Sequence, residues 1–341
     1  MATKQKIAIA CQGGGSHTAF TAGVLKKFLE VGVHETYDIV ALSGTSGGAI
    51  CATATWYGLL KAANGSKSPP YKWLVDFWKA NSANSPWEKA FNSIAIGTTR
   101  LQQEGIIPSF PANPYQMDWM NELLSSMSPR KDFLNFKLML ENYIDFDEIK
   151  TLVQPSSPRL FLGAVDILSG HFKVFDSSEP NDIRVEALMA SACVPNIFKA
   201  MEMDGTAYWD GLFSQNPPVA TFFKTDREQR PDEIWLITIN PLKSKTIPQT
   251  GPDIIDRRNE LGGNISLYQE IRFIKLVNRW IEKGAFKKEL IDKLKPVQIR
   301  LIELSEEIID RLDYTSKLER DAVFIESLMD EGEKQATKFL V

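Results

Sequence analysis

The chain has 341 residues, 43% of them hydrophobic and 24% charged, a globular composition that excludes a mostly disordered polymer. Its formal charge is −4, from 39 basic and 43 acidic residues, with a pI near 5.6, so it has no global electrostatic footprint for nucleic acid. Its three cysteines, Cys11, Cys51 and Cys193, are odd in number and far apart, which argues for a reducing compartment and against a disulfide framework or a zinc-type pair.

Met1 to Lys6 runs straight into an apolar segment too short for a signal sequence, and no run of 18 apolar residues occurs. The expectation is a soluble, cytoplasmic protein, with peripheral membrane contact and a leaderless export route left open. Lys6 to Cys11 is a short apolar run that reads as a buried strand. It enters Gln12-Gly13-Gly14-Gly15, after which Ala19, Val24, Leu25, Phe28 and Leu29 fall at helical spacing. Tyr37 to Leu42 is a second strand, ending in Ser43-Gly44-Thr45-Ser46-Gly47-Gly48, and a small-residue helix follows from Ala49 to Leu60. Strand, helix, strand, helix with short turns predicts a mainly parallel α/β sheet.

Residues 61 to about 150 predict short helices separated by prolines at 86, 108, 111, 114 and 129. Five of the eight tryptophans fall between 56 and 119, joined by Phe77, Phe91 and Phe110. Two readings compete here: a helical layer whose aromatics are simply core, or a cap over an apolar substrate. Sheet character returns with Arg159 to Ile167 and His171 to Phe175 around Leu168-Ser169-Gly170, a hairpin pattern. Ile183 to Ala192 reads as a helix, Tyr208-Trp209 leads into Asp210-Gly211, and Glu233 to Ile239 is a strong strand. From 253 onward the chain is largely helical. Leu267, Ile271, Ile274 and Ile281 line one face, Leu318, Ala322, Ile325 and Met329 another, with a strand near Val297 to Ile302 between them.

Gly44-Thr45-Ser46-Gly47-Gly48 matches G-x-S-x-G in the context that gives the match meaning. A serine on a sharp strand-to-helix turn projects its Oγ above the sheet, and the helix behind it aims a positive dipole at developing negative charge. The alternative is a plain Gly/Ser turn. Such a nucleophile needs oxyanion donors and a base. Gly13-Gly14-Gly15, at the end of the neighbouring strand, is placed to offer N–H groups near Ser46, each worth about 2.7–4 kcal/mol in a transition state. A dinucleotide loop, G-x-G-x-x-G, competes for the same glycines. Thr18 stands at its third glycine, and the Ser46 turn occupies the place of its acidic residue.

The only histidines are His17, His34 and His171, so nothing late in the chain completes a Ser-Asp-His order. Asp166 and His171 lie five residues apart across the predicted hairpin, a poor fit for a catalytic pair. His17, beside the glycine loop, is placed to touch the site, and His34 reads as a surface turn residue. That leaves a carboxylate acting directly, and Asp210-Gly211 sits at a strand end or turn.

Gly13-Gly14-Gly15, Gly44-Thr45-Ser46-Gly47-Gly48 and Asp210-Gly211, in that order and spacing, resemble the patatin-like phospholipase family, and Ala190-Ser191-Ala192-Cys193-Val194-Pro195 is similar to its pre-aspartate helix. The resemblance covers roughly residues 6 to 220. It implies a patatin-like three-layer α/β fold with a mainly parallel central sheet. It further implies a catalytic domain over 1–240, with an aromatic-rich helical cap insertion at about 61–150, and a mostly helical extension over 241–341 packed on it. By the same resemblance Ser46 is the nucleophile, Asp210 the general base, and Gly13, Gly14 and Gly15 the oxyanion-hole amides. Two departures stand out: His17 and Thr18 where the family has a basic residue and then glycine, and Leu212 where it has a small residue. Arg257-Arg258-Asn259-Glu260-Leu261-Gly262-Gly263-Asn264 resembles an extension of some bacterial members and reads, by default, as helix packing.

The expected activity is hydrolysis of (phospho)lipid acyl esters through an acyl-enzyme, requiring neither metal nor organic cofactor, with lipid or another acyl ester as partner and no nucleic acid. An aspartate of ordinary pKa, ~3.9, is a weak base, so burial is expected to raise it. An esterase acting on non-phospholipid esters and a catalytically silent lipid-binding protein on the same fold are the alternatives.

Overall fold

The computed structural model describes residues 4–108, 113–115, 123, 124, 126, 128–195, 197–224, 229–287 and 294–341. Phe110, Pro111 and Trp119 of the aromatic- and proline-rich stretch lie outside the described residues. The elements, in order, are β1 (Lys6–Cys11), α1 (Ala19–Glu30), β2 (Asp38–Gly44), α2 (Gly47–Ala63), α3 (Lys72–Asn81), α4 (Pro86–Gln103), α5 (Phe136–Tyr143) and α6 (Phe146–Leu152). They continue with β3 (Arg159–Asp166), β4 (Phe172–Asp176), α7 (Val185–Ser191), β5 (Met201–Met203), β6 (Thr206–Asp210), β7 (Glu233–Thr238), α8 (Gly251–Glu282), β8 (Gln298–Glu303) and α9 (Ala322–Leu340).

The strands form one sheet in the order β5-β6-β3-β2-β1-β7-β8, with β4 also on β3. The pairs β3–β2, β2–β1, β1–β7 and β7–β8 are parallel, whereas β3–β4, β3–β6 and β5–β6 are antiparallel. Burial on both faces explains why β1 reads as a continuous apolar run rather than an alternating one. Ile7, Ile9 and Cys11 face a core shared with α1 and α2, while Ala8 and Ala10 face Leu267, Ile271 and Ile274 of α8. The result is the expected three-layer α/β arrangement, with α9 lying along α1. The segment after residue 240 does more than cover the sheet, since its β8 extends the sheet beyond β7.

The helices between α2 and β3 use their aromatics mainly as core. Phe77 and Trp78 are buried beside Trp56 of α2, which belongs to the same core, and Trp87 stacks on Phe91 with Phe133 edge-on to both. Trp56 also donates its indole N–H to Pro158 O at 2.7 Å. The predicted hairpin is present as β3–β4, closed by an Asx turn in which Asp166 Oδ1 accepts from Leu168 and Ser169 N–H. Asp166 is therefore a turn former, and His171 is exposed beside it.

One feature of the sheet positions the site. β3 shares one edge between two partners: Ala41–Gly44 of β2 pair with Arg159–Leu162, and Asp210 of β6 then pairs with Ala164. β4 occupies the opposite edge across the overlap. The end of β6 thus continues the line of β2, and only Gly163 separates the partners of Gly44 and Asp210 along β3.

Candidate active site

Ser46 stands between β2 and α2 with φ 56° and ψ −131°, a conformation that favours glycine. Its backbone N–H donates to Ser191 O at 3.0 Å and to Ser191 Oγ at 3.1 Å, and Ser191 Oγ in turn donates to Gly163 O at 2.7 Å. Asp210 N–H donates to Cys193 O at 3.0 Å. The end of α7 and the residues after it therefore fix both the serine turn and the aspartate. That gives the Ala190–Pro195 stretch a concrete job, which sequence reasoning could match to a family feature without stating.

Asp210 is 1% exposed and Ser46 9%. Desolvation pushes the Asp210 carboxyl up to about 7, against the smaller opposing pull of the Ser46 hydroxyl and the Leu212 N–H. Oδ1 accepts from Leu212 N–H at 2.8 Å. Oδ2 has no hydrogen-bond partner among the described residues, and the nearby Ser46 hydroxyl favours the charged form of the carboxyl. Cys193 is not a competing nucleophile, because burial, with Asp210 adding to it, pushes its thiol up to about 12.

The glycine loop lies against the serine turn. A Cβ on Gly13 would stand 2.5 Å from Thr45 O and 2.8 Å from Ser46 Cβ. Gly13 N–H is already taken, donating to Asn216 Oδ1 at 2.7 Å, which removes it from the available donors. The amides of Gly14 and Gly15 have no hydrogen-bond partner among the described residues. We expect Gly13→Ala to cost about 1–3 kcal/mol of stability through overpacking, and to reduce ester turnover at least tenfold. Thermal unfolding and steady-state kinetics on one preparation check both.

His17 does not join this group. It is buried, its Nε2 lies 2.8 Å from Ser316 Oγ, and its ring meets Phe324 edge-on. Burial, with Lys317 nearby, lowers its pKa and holds it neutral. His34 lies on a short helical turn, Val33–Thr36, partly buried beside Glu35. No cluster of metal-ligating side chains is present among the described residues, nor is any helix long and apolar enough to cross a membrane.

Residues 9–223 match a family model described as Patatin-like phospholipase. No curated protein matches the chain. Among solved structures it is similar to VipD from Legionella pneumophila, at 11% identity and a TM-score of 0.44, over 99% of this chain and 66% of that one. It is similar also to ExoU in the heterodimeric ExoU–SpcU complex of the Pseudomonas aeruginosa type III secretion system, at 15% identity and a TM-score of 0.31, over 98% and 52%. The chain thus spans between about half and two thirds of the length of these structures.

Proposed function

Because this chain belongs to the patatin-like phospholipase family, a family of lipid acyl hydrolases, we propose that it cleaves (phospho)lipid acyl esters with a dyad of Ser46 and Asp210. The observation that carries the reading is geometric: along β3 the end of β6 continues the line of β2, which brings the buried carboxyl of Asp210 to a serine at the head of a helix, and burial raises that carboxyl to about 7. An ordinary aspartate would be too weak a base near neutrality, whereas this one is matched to it.

Ser46 Oγ attacks the ester carbonyl as its proton passes to Asp210. The carbonyl oxygen takes the electron pair and is held by the amides of Gly14 and Gly15, with the α2 dipole favouring the same charge. Collapse of the tetrahedral intermediate breaks the ester C–O bond, and Asp210 returns its proton to the departing alcohol. Water then attacks the acyl-enzyme, giving its proton to Asp210, and Ser46 recovers a proton as the fatty acid leaves. The working form needs Asp210 deprotonated, so kcat/KM is expected to fall as pH drops through about 7 and to level off above it. A profile flat from pH 5 to 8 would remove Asp210 as the base.

Exposed apolar side chains support a lipid substrate. Trp209 and Phe213 flank Asp210 in the chain, and Ile197 and Phe198 follow the Cys193 that bonds it. Phe198 also stacks on Phe136 of α5. Hydrolysis of p-nitrophenyl esters of graded length, then of phosphatidylcholine vesicles, tests the reading. Rates should rise with chain length and extend to vesicles, and a preference for acetate with inert vesicles would argue for a water-soluble ester.

A further inference from the structure

The Arg257–Asn264 motif, for which sequence reasoning offered only helix packing, lies in the N-terminal half of α8 and reaches the glycine loop. Gln12, fully buried just before Gly13, uses both ends of its amide. Its Oε1 accepts from Ile239 N–H (2.8 Å) and Asn240 N–H (2.9 Å), and its Nε2 donates to Asn264 Oδ1 at 2.9 Å. Asn264 is itself buried and donates to Pro241 O at 3.3 Å. Two helical turns earlier, Arg257 donates to Pro241 O (3.1 Å) and Leu242 O (2.9 Å). The motif therefore grips the strand exit at 239–242, and that exit grips the loop: Asn240 Nδ2 donates to Gly13 O at 3.0 Å, and Ile239 packs on Gly14.

The other side of the loop is held from the same helix. Lys317, whose carbonyl packs against Gly15, pairs with Asp256 (2.6 Å) and Glu260 (3.2 Å), and Glu260 also binds Arg257 at 3.0 Å. Gly263 completes the fit, since a Cβ there would come within 2.9 Å of Leu212 Cδ1 and 3.0 Å of Asn216 Nδ2, the side chain that holds Gly13.

We propose that Asn264, with Arg257 behind it, is a positioning residue for the Gly14–Gly15 amides, so that residues beyond the matched 9–223 span set the oxyanion geometry. The proposal rests on the dyad reading above. Fully buried amides bonded at both ends hold a loop more tightly than packing alone, and displacement of a catalytic group by about 1 Å can cost roughly 100-fold in rate.

The test compares a p-nitrophenyl ester with its thiono analogue, whose C=S sulfur gains little from oxyanion amides. Both are hydrolysed by the same folded molecules, so their ratio is unaffected by partial unfolding. Wild type should favour the oxo ester beyond its intrinsic reactivity advantage. Asn264→Ala should lower kcat for the oxo ester about 10- to 100-fold with KM within about twofold, and the thiono ester much less. Should that variant not fold, Arg257→Met is expected to move the ratio in the same direction by a smaller factor. Equal losses on both esters, or an unchanged ratio in the variants that fold, would overturn the proposal while leaving the dyad intact. Ser46→Ala measured alongside separates the two: an active Ser46→Ala, or an inert wild type, overturns the dyad and this inference with it.

Discussion

Asp210→Asn is expected to abolish ester hydrolysis and, at alkaline pH, to make the protein more stable. The kinetic part follows from the proposed role of Asp210: an amide cannot take the Ser46 proton, and turnover should fall by roughly 10³-fold or more. The stability part follows from linkage. The folded pKa, about 7, lies above the ordinary 3.8, so the folded state holds this proton more tightly than the unfolded chain does. Stability from this group is complete below about pH 4, declines as pH rises toward 7, and stays low above it. A shift of that size corresponds to about 4 kcal/mol, and the neutral asparagine escapes it while keeping an oxygen for Leu212 N–H. Thermal melts of both proteins at pH 4 and pH 8 should show similar stability at the lower pH and a higher Tm for Asp210→Asn at the higher. A site that lost activity without this pH-dependent gain would mean that Asp210 is not held against its preference.

Ser46→Ala should lose turnover by at least a comparable factor, since the attacking oxygen is gone. Ser46→Gly should be equally inactive yet more stable than either. Its φ of 56° with ψ −131° is strained for any residue with a Cβ, by about 1–3 kcal/mol, and glycine relieves it. Strain held at the one residue proposed to do covalent chemistry is a stability cost that function explains. Unfolding in urea of wild type, Ser46→Ala and Ser46→Gly would read the ordering directly, and a glycine variant no more stable than alanine would show the turn to be unstrained.

Much of this site was legible because it is local. The β1-loop-α1 and β2-turn-α2 units are contiguous, and their apolar runs, glycines and helical spacing mark them without tertiary information. Asp210 was different. Asp-Gly alone is usually a turn, and its position beside Ser46 depends on β3 giving one edge to two strands, which no local pattern encodes. Family resemblance, not spacing, supplied it. The same limit explains the misplacement of His17: adjacency to the glycine loop suggested contact with the site, but the short helical turn after Gly14 carries its ring toward Ser316. Gly13 as a free amide failed for a similar reason, because Asn216 reaches it across some 200 residues. Gln12 and Asn264 did carry a signal. A glutamine closing a buried apolar strand and an asparagine after two glycines are polar groups that need partners, and each is the other's.

Covalent labelling reports at once whether Ser46 is an activated nucleophile. A fluorophosphonate probe, followed by proteolysis and mass mapping, should place one adduct on the peptide containing Ser46. The adduct should vanish in Ser46→Ala and form far more slowly in Asp210→Asn. A folded wild-type protein that takes no label, or takes it at another serine, would rule out Ser46 as the nucleophile.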